Sequence, residues 1–142
     1  MATPYSNIFN KYGVLVEDAE LLSILDVVEY EGLLTIFLSK ATNIYFKTCL
    51  KDLSNVDNVL KQFNQSLTEE EQWILAEGMK LVWYEKQIFK EKQFKDRIGS
   101  KDYITHSPAN LIDKLVSLRN DTEKSLRNKI VDYTFNGFSG FN

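Results

Sequence analysis

The densest run of acids in this chain is Glu69-Glu70-Glu71, preceded by Thr68. Neighbouring carboxylates are raw material for acid–base chemistry or for a hard-cation site. Their order here points elsewhere. A Thr followed three residues later by a Glu is a capping box, in which the Thr68 hydroxyl reaches the Glu71 amide and the Glu71 side chain reaches back to the Thr68 amide. The three charges also sit where a helix dipole favours anions, so the run predicts a helix start and not a reactive centre. Asp52, Asn55 and Asp57 fail the calcium-loop pattern, since no glycine stands at the sixth position and no bidentate glutamate at the twelfth. Cys49, the single cysteine, has no neighbouring base or cation in the sequence to activate it and reads as a small packed residue. His106, the single histidine, cannot build a multi-histidine metal site or the Glu-x-x-His pairs of di-iron bundles, and its place before a helix suits a turn. With no glycine-rich phosphate loop, H-E-x-x-H, paired-cysteine zinc spacing or nucleophile elbow, the reading is of a non-enzyme. It has no catalytic residue, no metal ligand and no cofactor.

Chemistry of recognition is better represented. At 142 residues the chain is the size of one domain, able to bury about two-thirds of the surface its unfolded form exposes. The net charge of −3 argues against nucleic acid as the main partner. Its distribution is polar: Glu17, Asp18, Glu20, Asp26, Glu29 and Glu31 face Lys11 alone before Ser39, whereas Lys86, Lys90, Lys92, Lys95 and Arg97 crowd a later segment. That asymmetry suits subunits that present opposite ends to their neighbours. No apolar run approaches the roughly 18 residues of a membrane span. A lone cysteine and an N-terminus without a signal-peptide pattern suggest a reducing compartment.

The elements that must carry these residues read as helices. Thr3-Pro4 repeats a cap-then-proline start, predicting a short helix to Tyr12 that Gly13 ends. Asp18 can cap a second short helix, although Val14, Leu15 and Val16 fit a strand equally well. The spacing of Leu34, Phe37, Leu38, Ala41, Ile44, Tyr45 and Thr48 predicts a core helix from about Val28 to Cys49. Val56, Val59, Leu60 and Phe63 predict a short helix. From Glu69 to Lys92 apolar residues surround most of the girth, which predicts a helix central to its domain or partly covered by another subunit. Gly99 and Ser100 then open a turn and a brief extended arm through Tyr103. Ser107 and Pro108 start a last long helix to Tyr133, its stripe formed by Leu111, Leu115, Leu118, Thr122, Leu126 and Ile130. After it, Phe135, Phe138 and Phe141 recur every three residues between Gly137 and Gly140, which reads as a flexible tail that docks on a partner.

The expected fold is an all-α small bundle: about three long helices, short flanking helices, an extended loop and a flexible C-terminal tail. Residues 1–133 form the domain and 134–142 the tail. The candidate partner interface comprises Trp73, Trp83, Tyr84, Phe89, Tyr103, Phe135, Phe138 and Phe141.

The order of several segments carries a resemblance. These are the opening ATPYSNIFNKY, the stretch KDLSNVDNVLKQFNQSLTEEEQWILAEGMKLVWYE, the loop IGSKDYITHSPANLIDKL and the closing SLRNDTEKSLRNKIVDYTF. Gly99-Ser100-Lys101-Asp102, Ser107-Pro108-Ala109-Asn110, Leu118-Arg119 and Ile130-Val131-Asp132-Tyr133 stand where the family has its G-T-K-D-like loop, S-x-A-N, L-R and I-x-x-Y. In these the chain resembles the small neck proteins of tailed bacteriophages, the head–tail connectors or adaptors. The resemblance implies a structural virion protein in a homo-oligomeric, dodecameric ring between portal and tail. Such a ring contacts the portal protein and neighbouring neck or tail proteins, helps seal the packaged head, and sits close to packaged DNA without reading its sequence. It implies synthesis in the host cytoplasm. The same type of sequence also fits another neck ring, a stopper or tail-completion protein. Outside that resemblance it fits a small cytoplasmic helical regulator that binds a partner helix.

Overall fold

The computed structural model describes residues 2–16, 27–106 and 111–139. The fold is all-α, as expected, with one small addition. Three two-residue strands form an antiparallel sheet in the order β1-β3-β2, with β1 Thr3–Pro4, β2 Val56–Asp57 and β3 Gln62–Phe63. Phe63 lies opposite both Thr3 and Val56. The short helix expected over Val56 to Phe63 is therefore a hairpin. Asp57 Oδ1 accepts from the amides of Val59 and Leu60, and Lys61 adopts a φ of 55°, so side-chain chemistry closes a turn where a helix would need free propagation.

The hairpin holds the N-terminal strand. The buried Thr3 hydroxyl donates to the Gln65 carbonyl and accepts from the Leu67 amide, while the Tyr5 amide donates to Lys61. Helix α1, Tyr5–Leu15, then buries Tyr5, Ile8 and Tyr12 on one face. Gly13 lies within it and does not end it. Val16 is the extended residue that does, so the strand reading of Val14–Val16 gives way to a helix end. The helix expected after Asp18 lies outside the described residues.

Helix α2, Val27–Lys40, passes directly into a wider π turn over Ala41–Tyr45. It stops short of the expected end at Cys49, because Phe46 leaves the helix and turns into the core, its amide donating back to the Ala41 carbonyl. Helix α3, Glu69–Ile98, carries the predicted capping box and continues past the expected end near Lys92, to Gly99 at a φ of 89°. The segment expected as an extended arm is helix α4, Ser100–His106. It folds back because the Tyr103 amide bonds the Gly99 carbonyl, and the Tyr103 ring then rests edge-on against Phe94. Helix α5, Leu111–Ser139, runs on past Tyr133, so the stretch expected to be a flexible tail is helical as far as Ser139. Gly137 costs such a helix only about 1 kcal/mol, too little to act as a stop. The expected start at Ser107 and Pro108, and the tail residue Phe141, lie outside the described residues.

Helix α3 is the axis of the bundle. Its first half contributes Ile74, Leu75, Ala76, Met79, Leu81 and Val82 to the core, and α1, α2 and α5 pack around it. The broad apolar girth seen in the sequence is thus used inside the subunit over Ile74–Val82.

Candidate functional site

At the start of α3 the capping box has a second role. Glu71 is 1% exposed, and both carboxylate oxygens are occupied. Oε1 accepts from the Thr68 amide at 2.7 Å and from Lys51 Nζ at 3.2 Å. Oε2 accepts from the Tyr133 hydroxyl at 2.5 Å and from Cys49 Sγ at 3.3 Å. The Tyr133 hydroxyl in turn accepts from the Leu50 amide at 2.9 Å, and its ring meets Phe46 edge-on. Burial pushes the Glu71 carboxyl up, but the hydrogen bonds from Tyr133, Thr68, Cys49 and Lys51 outweigh it and hold the group below its ordinary value. Burial raises the Cys49 thiol to about 11 and also raises Tyr133, whose bond to Glu71 adds to the effect. A thiol so placed is protonated and inert, which agrees with the packed-residue reading of Cys49. The cluster is a latch: it ties the end of α5 and the loop after α2 to the head of α3. Its members were visible in the sequence only as separate features. The one available signal was that a tyrosine on the buried stripe of a helix needs a hydroxyl partner.

Two further ties continue this ladder along α3. The Lys129 ammonium bonds the buried Glu77 carboxylate, and Arg119 pairs with Glu85 at 3.5 Å while Glu85 also takes a hydrogen bond from Tyr45. Since residues 119, 129 and 133 of α5 meet 85, 77 and 71 of α3, the two helices run antiparallel.

The candidate interface residues divide among several environments. Trp73 is partly exposed beneath the Lys11 ammonium, which also pairs with Glu69 and donates to Gln72. Trp83 is half-buried against the core and stacks edge-on with Tyr84. Tyr103 is buried between α3 and α4 and donates to Glu91, so it serves the subunit's own packing and is not an accessible anchor. Phe89 and Phe135 are exposed. Phe138 lies within α5.

Phe89 belongs to a groove that the sequence reading did not assemble. Leu33, Ile36, Phe37 and Lys40 of α2, Ile44 and Tyr45 of the π turn, and Val82, Glu85, Lys86 and Phe89 of α3 enclose about 520 Å³. This lies within the roughly 300–1,000 Å³ typical of sites that seat a ligand-sized group. A larger opening of about 700 Å³ at the far end of α3 is lined, among the described residues, by Lys90, Glu91, Gln93, Phe94, Asp96 and Arg97 of that helix. Among the described residues, no group of three or more His, Cys, Asp or Glu is placed to hold a metal ion, and no helix is long and apolar enough to cross a membrane.

The chain matches no family model, no curated protein and no solved structure.

Proposed function

We propose that this chain is a structural subunit of a bacteriophage neck, a head–tail connector that forms a ring on the portal and receives the tail. The observation that carries the reading is the presence of exposed apolar side chains at several places on the subunit, among them Val14 on α1, Val59 and Leu60 in the hairpin turn, Ile104 on α4 and two further groups. Ile36, Ile44 and Phe89 surround the α2–α3 groove, and Val131 and Phe135 lie near the end of α5. A subunit of a ring needs two different, mutually complementary patches, because each copy meets one neighbour with each. The order of the loop and helix segments that resemble the connectors supports the same reading.

The test is mass determination by light scattering on the purified chain, alone and mixed with the portal protein encoded with it. A ring-sized species, or a complex that forms on mixing, is the expected result. A monomer that ignores the portal, together with absence of the chain from purified virions, would overturn the reading in favour of a cytoplasmic helical regulator.

A further inference from the structure

We infer that the α2–α3 groove is a docking site for an amphipathic helix of another protein, one whose apolar stripe is bordered on both sides by carboxylates. This goes beyond the ring reading and leaves the other exposed apolar groups for contacts between copies. The groove is apolar and open along its length. Ile36 is 55% exposed, Ile44 56% and Phe89 61%, around a floor that includes the buried Phe37 and Val82. From Leu33 to Ile44 its α2 wall is about three helical turns long, about 16 Å. That length suits the apolar anchors of a helix laid in a groove, which recur every three or four residues. A compact small molecule needs about 70–90% of its surface covered, and side chains this exposed do not enclose one.

Charge sets the chemistry of the occupant. Each wall contributes one cation to the lining, Lys40 from α2 and Lys86 from α3. The Lys86 ammonium lies 5.7 Å from the centre of the Phe37 ring, and neither it nor Lys40 has a carboxylate partner among the described residues. The carboxylate in the lining, Glu85, is already met by Arg119 and by the Tyr45 hydroxyl. Past Glu29, the only acid on α2 and the π turn is Glu31, whose partner is Lys61 of the hairpin. Lys86 is half-buried, so an incoming anion would be less screened there than on open surface. Cations on both walls of an apolar floor therefore select a helix with acids on either side of its stripe.

The same charges disfavour a second copy as occupant. On α5 the exposed cations Lys124 and Arg127 share the helix face of Val131 and Phe135, so that face would bring positive charge to a positive rim. The pattern the groove calls for belongs to a different protein.

A displayed library of helical peptides tests it. Leucines at three- and four-residue spacing fix the stripe, and the positions beside them vary among Glu, Gln and Lys. Selection on the unmodified chain is expected to enrich Glu on both flanks. The enriched peptides should fail to bind Ile36→Asp, which places a charge on the groove rim. Ile36 and Lys40 are exposed and Lys86 is half-buried at the surface, so the variants keep the fold, which circular dichroism verifies. Lys40→Glu combined with Lys86→Glu should weaken binding of the selected peptides by at least about tenfold and turn a repeated selection toward Lys on the flanks. No enrichment over the Ile36→Asp chain, enrichment of Gln or Lys by the unmodified chain, or binding indifferent to the double reversal would overturn the inference. So would self-association of the unmodified chain that Ile36→Asp abolishes, because a second copy would then fill the groove. Portal binding is scored separately, so the docking site and the neck reading can fail independently.

Discussion

A buried carboxylate must find donors for both oxygens or give up its charge, and Glu71 finds four. Because its folded-state pKa lies below the ordinary 4.5, the stability it contributes is fully present above that pH and is lost as pH falls through the folded value. Glu71→Gln keeps the shape but places an amide group against Tyr133, whose oxygen already accepts from Leu50. Urea unfolding should show a loss of about 1–3 kcal/mol at pH 7 and a flatter decline below pH 4.5 than in the parent chain. An unchanged acid limb would mean that another group controls it. The neighbouring thiol gives an independent check. With Cys49 raised to about 11, only about one thiol in a thousand is ionised at pH 8, so alkylation should be slow there and quicken about tenfold per pH unit until that value is approached. Fast labelling at neutral pH would show that the latch opens. The capping half of this site was legible because Thr68 and Glu71 are three residues apart. Its closing half was not, because Tyr133 comes from 62 residues further along the chain.

At the scale of the elements, two helical glycines separate local propensity from packing. Gly78 faces the π turn that ends α2, and a methyl group added there would lie 2.9 Å from Ala41 Cβ, nearer than such carbons approach without movement. A methyl group added at Gly13, inside α1, meets nothing within 4 Å among the described residues. Gly13→Ala should therefore stabilise the chain by about 0.5–1 kcal/mol through helix propensity, while Gly78→Ala should cost about 1–3 kcal/mol by forcing α2 from α3. Thermal melting of the two variants checks the pair, and equal shifts would refute the close approach. Both glycines look like helix interruptions in the sequence. Their difference lies only in what stands opposite. The same limit explains the other departures: the apolar stripes of α3 and α5 are long enough to be read directly, whereas the Val56–Phe63 segment is decided by one Asp57 side chain and the end of α2 by Phe46 seeking the Tyr133 ring. The groove was illegible for a related reason, since its residues alternate with core positions on two helices that periodicity treats one at a time.

Across the whole molecule, α3 is about 45 Å long at 1.5 Å per residue, and its two halves have different surroundings. From Glu71 to Val82 nearly every residue is buried, Glu71, Gln72 and Glu77 included, whereas between Trp83 and Ile104 only Tyr103 is. Burial of apolar area is the main source of local stability, so the second half and its return helix α4 should open at much lower free energy than the first. Native-state hydrogen exchange should find the amides of Ile74–Val82 exchanging only on global unfolding and those beyond Lys90 exchanging by local opening. Trypsin should correspondingly cut first within the Lys90–Arg97 segment, which supplies several basic sites on a thinly packed stretch, and not at Lys80 in the well-packed half. That arm carries much of the chain's clustered positive charge and stands clear of both the latch and the groove. The chain thus joins a well-packed body to a thinly packed basic segment. If the arm engages the portal, portal-bound chains should lose both the early tryptic cut and the fast exchange beyond Lys90 while the core amides stay unchanged. Protection confined to the α2–α3 groove and the end of α5 would place the portal there instead.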